Sequence, residues 1–228
     1  MKILVLSDIH ANYEALLSLD KYVQECDTVL SLGDITGYSC AVNECIEYAR
    51  THNFVSIQGN HDRYVIEGMY SQTKFLNESV RFGINHAANV ISQDNLAWLK
   101  SLPLVYSFKI DNITILAAHG DPFDPINGYV YENNTDFETW NQFTYNYIFI
   151  GHTHRELTHQ TEHSLIINPG SVGQARDFEG KACACILDTE NNVLKRLHIE
   201  YDYMKNLNLS LSFGASDWIN KHYRTLLL

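Results

Sequence analysis

Apolar residues in this chain come in short runs that break at ligand-type side chains. Ile3 to Ser7 is such a run and stops at Asp8, as expected of a strand buried on both faces. Tyr13 to Gln24 carries Leu16, Leu17, Leu19, Tyr22 and Val23 at near-helical spacing, with Asn12 as its N-cap. Thr28 to Leu32 predicts a second buried strand ending at Gly33-Asp34. Ala41 to His52 predicts a helix, and Phe54 to Gln58 a third strand ending at Gly59-Asn60-His61-Asp62. This β-α-β-α-β rhythm implies parallel strands with right-handed crossovers.

Further along, Glu78 to Val90 and Asp94 to Ser101 read as helices, and Pro103 stops the second. Leu104 to Ile110 and Ile113 to Ala118 flank Asp111-Asn112, a hairpin signal, and the second strand ends at His119-Gly120. Asp121 to Asn146 is polar and aromatic-rich without a clean period, which predicts loop and short helix. Tyr147 to Ile150 is a strand ending at Gly151-His152-Thr153-His154, and Leu165 to Asn168 is another ending at Pro169-Gly170-Ser171. Ala182 to Asp188 and Val193 to Glu200 form a hairpin around Asn191-Asn192, and Ser216 to Arg224 a last helix. With no repeat and no linker, residues 1–228 are expected to form one domain.

Composition narrows the class. Hydrophobic residues make up 45% of the chain and charged residues 19%, a globular balance. No apolar run is long enough to span a bilayer, and the N-terminus reads as a first strand with no secretory signal, so a cytoplasmic location is expected. The net charge of −11 makes a long nucleic acid a poor partner, because duplex binding needs a basic surface. A small anionic substrate remains compatible, since bound metal ions dominate the field inside a site. The five cysteines are odd in number and scattered, unlike a disulfide framework. Cys183 and Cys185 share a strand face and read as small core residues.

The chemistry lies in the loops. Five strand-like segments end in Asp8-Ile9-His10, Gly33-Asp34, Gly59-Asn60-His61-Asp62, His119-Gly120 and Gly151-His152-Thr153-His154. Sites of open α/β sheets gather at the carboxyl ends of strands, so these loops can converge in space. Carboxylates mixed with imidazoles suit Mn, Fe or Zn better than Ca, which takes oxygen ligands alone. A carboxylate such as Asp34 can bridge two cations, and Asn60 offers a neutral carbonyl. A lone Asp-x-His or Gly-Asp is common by chance; all five motifs in order, each at a strand end, are not.

Together these motifs identify the chain as similar to the calcineurin-like metallophosphoesterase superfamily, whose signature is D-x-H, G-D, G-N-H-[DE], a His, then G-H-x-H. The match runs from Ser7 to about Gly173, and Asn168-Pro169-Gly170-Ser171-Val172-Gly173 resembles a segment of the small bacterial and archaeal phosphodiesterase branch. The resemblance implies an α/β fold, a four-layer α/β/β/α sandwich of two mixed sheets flanked by helices. It assigns Asp8, His10 and His154 to a first metal, Asn60, His119 and His152 to a second, and Asp34 to both. His61 is implied to contact the phosphate and protonate the leaving oxygen, with Asp62 orienting it. The implied cofactors are two divalent transition-metal ions, Mn favoured over Fe or Zn. The implied activity is hydrolysis of a phosphomonoester or phosphodiester of a small molecule, nucleotides included, by a hydroxide the metals share.

The stretch Gly33-Asp34-Ile35-Thr36-Gly37-Tyr38 lacks the Asp-Arg pair of the G-D-x-x-D-R-G motif of protein Ser/Thr phosphatases and symmetrical diadenosine tetraphosphate hydrolases. Arg63 and Arg176 are the candidates to replace that arginine. Asymmetrical dinucleoside polyphosphate hydrolysis is a related option, and a non-catalytic interaction scaffold is the rival of another class. Segment 121–146 stands between two ligand loops as a lid, a specificity wall or a structural insertion. The aromatics Phe137, Trp140, Phe143, Tyr145 and Tyr147 are expected to pack a core, with base stacking as the alternative. His52, His86, His159, His163, His198 and His222 have no motif partner.

Overall fold

The computed structural model describes residues 1–68, 77–110 and 112–215. Two five-stranded sheets face each other. The first has the order β10-β9-β1-β2-β3, from β1 (Lys2–Leu6), β2 (Thr28–Ser31), β3 (Val55–Ser56), β9 (Lys181–Asp188) and β10 (Val193–Glu200). The second has the order β4-β5-β6-β8-β7, from β4 (Val105–Ile110), β5 (Ile113–Ala118), β6 (Tyr147–Phe149), β7 (Glu156–Gln160) and β8 (Leu165–Pro169). In each sheet three strands run parallel, β1-β2-β3 and β5-β6-β8, and the others are antiparallel. Both sheets are therefore mixed, and each sends three parallel strand ends towards the ligand loops.

Side-chain alternation along the strands builds the layers. Ile3 and Val5 of β1, Ile115 and Ala117 of β5, and Tyr147 and Phe149 of β6 point inward and meet between the sheets. Leu4 and Leu6 point the other way, into a core shared with Ala15 and Leu16 of α1 (Tyr13–Leu17), Cys45 and Ile46 of α3 (Val42–Thr51), and Val80 and Ile84 of α5 (Glu78–Val90). The outer face of the second sheet, Leu116, Ile148, Ile150 and Ile166, is covered by Val130 and Trp140. Segment 121–146 thus supplies the fourth layer, through the 3₁₀ turn Phe137–Gln142. Phe137, Trp140, Phe143 and Tyr145 pack that layer and Tyr147 the core between the sheets, as the core reading expected. Cys183 and Cys185 are buried. Among the described residues no helix is long and apolar enough to cross a membrane.

Several elements differ from the sequence expectation. The helix expected over 13–24 is two, α1 and α2 (Asp20–Glu25). At the joint the Ser18 hydroxyl donates to the Ala15 carbonyl and Leu19 buries completely, competing with a continuous helix. Gly59-Asn60-His61-Asp62 is not a free loop: α4 (Asn60–Glu67) begins at Asn60. The Asp62 carboxylate accepts from the Gly59 N–H at 3.1 Å and so caps that helix. Strand β7 gave no signal because only Leu157 in it is buried. Helix α7 (Tyr203–Ser212) was hidden by Leu207, Leu209 and Leu211, whose spacing of two mimics a strand; Asp202 caps it. The helix expected at 216–224, with His222, lies outside the described residues. The remaining helix, α6 (Gln93–Ser101), agrees with its sequence pattern.

Trp140 is 2% exposed and closes the second sheet's outer face. Trp140→Ala should therefore lower unfolding free energy by about 3–5 kcal/mol, read by denaturant titration with circular dichroism. A loss below about 1 kcal/mol would show that segment 121–146 is not a structural layer.

Candidate metal centre

The six parallel strand ends converge, and the loops leaving five of them carry the residues expected from sequence. Asp8 and His10 follow β1, Asp34 follows β2, Asn60 and His61 open α4 after β3, His119 follows β5, and His152 and His154 follow β6. All are at most 8% exposed. Five of them, Asp8, His10, Asp34, His152 and His154, adopt positive φ, between 53° and 67°. Non-glycine residues pay for that region in steric strain, and such strain clusters at functional sites.

Two groups of ligand atoms meet at Asp34. In one, His154 Nε2 lies 3.3 Å and His10 Nε2 3.7 Å from Asp8 Oδ1, and His10 Nε2 lies 3.8 Å from Asp34 Oδ2. In the other, His119 Nε2 lies 3.4 Å from Asp34 Oδ2 and 3.0 Å from Asn60 Oδ1. His152 stands beside His119 with ring centroids 5.0 Å apart. His61 Nε2 is 3.9 Å from Asp34 Oδ2, and the His61 backbone N–H donates to Asp34 Oδ1 at 2.8 Å. A single carboxylate therefore touches both groups. Close approach is sterically enforced: a Cβ at Gly59 would collide with the Asp34 carboxylate, and one at Gly37 with the His61 ring.

The donor set fits divalent metal ions. Nδ1 of His10, His119 and His154 faces the carbonyls of Thr36, Leu32 and Gln174 at 3.1, 2.8 and 3.1 Å. These acceptors put the ring proton on Nδ1 and turn the Nε2 lone pair inward, the arrangement of metal-bound imidazoles. His10 and His154 then aim two lone pairs at each other across 2.9 Å, a repulsive contact that a shared cation makes attractive. Asp8 Oδ1 and His152 Nε2 are buried without a hydrogen-bond partner, which is costly unless a ligand completes them.

The electrostatics agree. Burial alone would raise the Asp8 and Asp34 pKa values, but His154 acting on Asp8, and His119 and His61 acting on Asp34, hold both below the usual carboxylate range. Burial opposes the His119 cation, yet Asp34 and Asp8 outweigh it and push its pKa up to about 9. Burial and the neighbouring His119 push His152 down to about 4.

Asp62 does not orient His61 by contact, contrary to the role expected from sequence. Its carboxylate accepts from Gly59 N and Ile35 N, and from both the N–H and hydroxyl of Thr36, whereas His61 Nδ1 has no partner. Asp62 instead locks the first turn of α4 to the Asp34 loop. Burial, with the nearby Asp34 charge, pushes its pKa up to about 6. Sequence reasoning also missed the prop beneath the ligand loops. Asn168 donates to Gly151 O at 2.7 Å and Thr153 Oγ1 at 3.1 Å, and the Ser171 hydroxyl donates to Asp8 O at 2.9 Å. The only signal for it was the resemblance of the segment Asn168 to Gly173.

The two candidate arginines separate. Arg63 forms an ion pair with Glu67 one turn along α4, while Arg176 lines the cavity that opens onto the ligands. Segment 121–146 splits too: Ile126, Val130 and Trp140 are buried, whereas Asn127 and Tyr129 line the cavity. His52, His86, His159 and His198 pair with other groups away from the cluster. Glu156, Cys183 and His198 form a further polar cluster, in which the Glu156 carboxylate accepts from His198 at 2.8 Å.

Comparison with known proteins agrees with this geometry. The model of the calcineurin-like phosphoesterase superfamily domain matches residues 1–192, and the chain belongs to that superfamily. Uncharacterized protein MJ0912 of Methanocaldococcus jannaschii is 33% identical over 238 residues, covering 96% of each chain. Among solved structures, a metallophosphoesterase from Sphaerobacter thermophilus superposes with TM-score 0.83 at 27% identity, covering 97% of both chains. The hypothetical protein PH1004 of Pyrococcus horikoshii superposes at 0.86 with 19% identity over 96% of both, a likeness of fold. The superfamily uses divalent metals, and the Asp and His clusters described above are able to hold them.

Two outcomes are expected. Asp34→Asn should lower bound metal at both positions together, because one neutral amide cannot serve two cations; elemental analysis showing full occupancy would remove Asp34 from a shared role. His119, raised to about 9, carries a proton at neutral pH that a metal must displace. Metal uptake at pH 7 should therefore release protons, and affinity should rise as pH climbs towards 9. Calorimetry in buffers of different ionisation enthalpy measures this, and uptake without proton release would contradict it.

Proposed function

We propose that this chain is a dinuclear-metal phosphoesterase acting on a phosphate ester of a small molecule. The observation that carries the reading is Asp34, whose Oδ2 lies within 3.9 Å of imidazole nitrogens of His10, His119 and His61. Asp8, His10 and His154 would hold one ion, Asn60, His119 and His152 the other, with Asp34 common to both. This mixed oxygen and nitrogen set suits Mn, Fe or Zn, and the family resemblance favours Mn. When bound, the two ions supply charge neutralisation for phosphoryl oxygens and lower the pKa of an attacking water.

The chain's own residues do the rest. Asp8 and Asp34, held ionised by neighbouring imidazoles, keep the site anionic and metal-loving. His61 is 6% exposed yet lines the cavity, so its imidazole can meet the leaving oxygen and give it a proton. Burial depresses its pKa, so the ring holds a proton less often at neutral pH and releases it more readily when it does. Arg176 offers a permanent cation to phosphoryl oxygens from the cavity wall. All seven ligand positions and His61 are filled by competent side chains, which supports an enzyme over an interaction scaffold.

His61→Ala should retain both metals and the fold while turnover falls roughly 10²–10⁴-fold. The loss should shrink for a nitrophenolate leaving group, which needs no proton. Metal loss in this variant would make His61 a ligand. An equal loss for good and poor leaving groups would leave it holding phosphate without donating a proton. Metal-reconstituted protein inactive on monoesters, diesters and dinucleoside polyphosphates alike would overturn the phosphoesterase reading.

A further inference from the structure

The cavity that opens onto the candidate metal centre measures about 360 Å³ and is walled by Tyr38, Tyr64, Asn127, Tyr129 and Arg176 beside the ligand residues. That is the size of a small-molecule site. Phosphate chemistry explains the ligands, His61 and Arg176. It does not explain Tyr129. This ring is 59% exposed, yet its centroid lies 4.1 Å from that of His152. It is presented to solvent at the edge of the reacting centre.

The loop that carries it is stiffly built. Ile126 and Val130, on either side, are 8% and 3% exposed. The Asp121 carboxylate accepts from the backbone of Phe123 and Asp124, and that of Asp124 from Ile126 and Asn127. The Gly128 N–H donates to Asp124 O at 3.0 Å, and a Cβ at Gly128 would strike the Asp121 carboxylate. Tyr131 lies nearly parallel to Tyr129, with 11° between the ring planes and 6.2 Å between centroids. A rigid, exposed aromatic face loses little conformational freedom when something covers it, and its apolar area is waiting to be buried. Tyr64 enters the same cavity from α4, one turn after Asn60, and the Asn127 amide stands two residues before Tyr129 with both hydrogen-bond donors and an acceptor. The Arg176 guanidinium donates to Thr153 O at 3.3 Å and lines the same cavity as Tyr38. Among the described residues it is the one permanently cationic side chain in the lining. The lining therefore offers a cation to phosphoryl oxygens and an exposed ring to a flat π system with polar edges.

We infer that this cavity selects phosphoesters whose alcohol carries a planar aromatic ring, as nucleoside phosphates do, by stacking that ring on Tyr129 while Arg176 holds a phosphoryl oxygen. The inference rests on the phosphoesterase reading for the placement of the phosphate and names the part of the substrate which that reading leaves open. A base stacked on one aromatic ring is worth roughly 5- to 150-fold in affinity.

The test is equilibrium binding to metal-loaded protein, by calorimetry, of the phosphonate analogues of adenosine 5′-phosphate and ribose 5-phosphate. Carbon replaces the ester oxygen in both, so neither is cleaved, and they differ in whether C1′ carries adenine or a hydroxyl. The adenosine analogue should bind more tightly by roughly 5- to 150-fold. Tyr129→Ala should erase most of that difference, and Tyr129→Phe should keep it, because the ring face remains. Circular dichroism checks that both variants fold, which the exposure of Tyr129 favours. Equal binding of the two analogues, failure of both to bind, or discrimination that survives Tyr129→Ala would each overturn the inference. Turnover of nitrophenyl phosphate esters, measured in parallel, judges the parent reading separately. Turnover with equal binding would overturn aromatic selection alone. Discrimination without turnover of phosphate monoesters, diesters or dinucleoside polyphosphates would support aromatic selection and overturn the phosphoesterase reading.

Discussion

The Asp34 carboxylate is 1% exposed, so water does little to stabilise its charge, and an unpaired buried carboxylate is among the most costly groups a protein can hold. Much of the functional end of this molecule answers that cost. The His61 backbone N–H donates to one oxygen, while imidazoles of His10, His119 and His61 approach the other. Those imidazoles are crowded against one another, with His10 and His154 nitrogens 2.9 Å apart. Without cations the arrangement depends on protons, which is why His119 is pushed up to about 9 while His152 is pushed down to about 4. Divalent ions would remove the conflict on both sides at once, giving carboxylates a counter-charge and lone pairs an acceptor.

Such crowding needs a frame that does not yield. Five presumed ligands sit at positive φ, at a cost on the order of 1–3 kcal/mol each. The loops hold because they are stitched to each other through the backbone. Asp8 N donates to Gly33 O, His10 N to Asp34 O, Gly151 N to His119 O, and Gly173 N to Asp8 O, all between 2.8 and 3.1 Å. The first two bonds join loops of the first sheet and the third joins loops of the second, while Gly173 N to Asp8 O ties one set to the other, so the apolar packing between the sheets keeps them in register. The strain is stored at the site and the stability that supports it lies in the interior built from Ile3, Val5, Phe149 and their neighbours.

This division explains what could be read from the sequence. Ligand residues were legible because each follows an apolar run that ends abruptly, and strand ends are where α/β sheets gather their sites. The sandwich was legible at family level through the same motifs. The edge strand β7, with one buried residue, and helix α7, with leucines alternating like a strand, carried patterns too weak or misleading to place. Asp62 was visible as a motif member but its contacts were not: its partners Ile35 and Thr36 lie 27 and 26 residues away in sequence. Of the aromatics for which base stacking was the alternative to core packing, Phe137, Trp140, Phe143 and Tyr145 cover the second sheet's outer face and Tyr147 lies between the sheets. The exposed ring at the cavity is Tyr129, which has no periodic neighbours to announce it.

The arginines make the same point in electrostatic terms. Arg63 follows directly on the Asn60-His61-Asp62 motif, yet the helix turns it towards Glu67. Arg176 is distant from every ligand motif in sequence, yet its backbone N–H donates to His154 O at 3.1 Å, which carries its side chain to the cavity. An acidic chain with net charge −11 repels a phosphorylated molecule at long range. Attraction must therefore be local. Two dications set against the carboxylates of Asp8 and Asp34 would leave the centre with a net positive charge, and Arg176 would add to it within a low-dielectric cavity where each charge counts for more than in water. The sign of the site is then opposite to the sign of the molecule. Such an arrangement would favour a small anion that reaches the cavity and disfavour long polyanions at the surface.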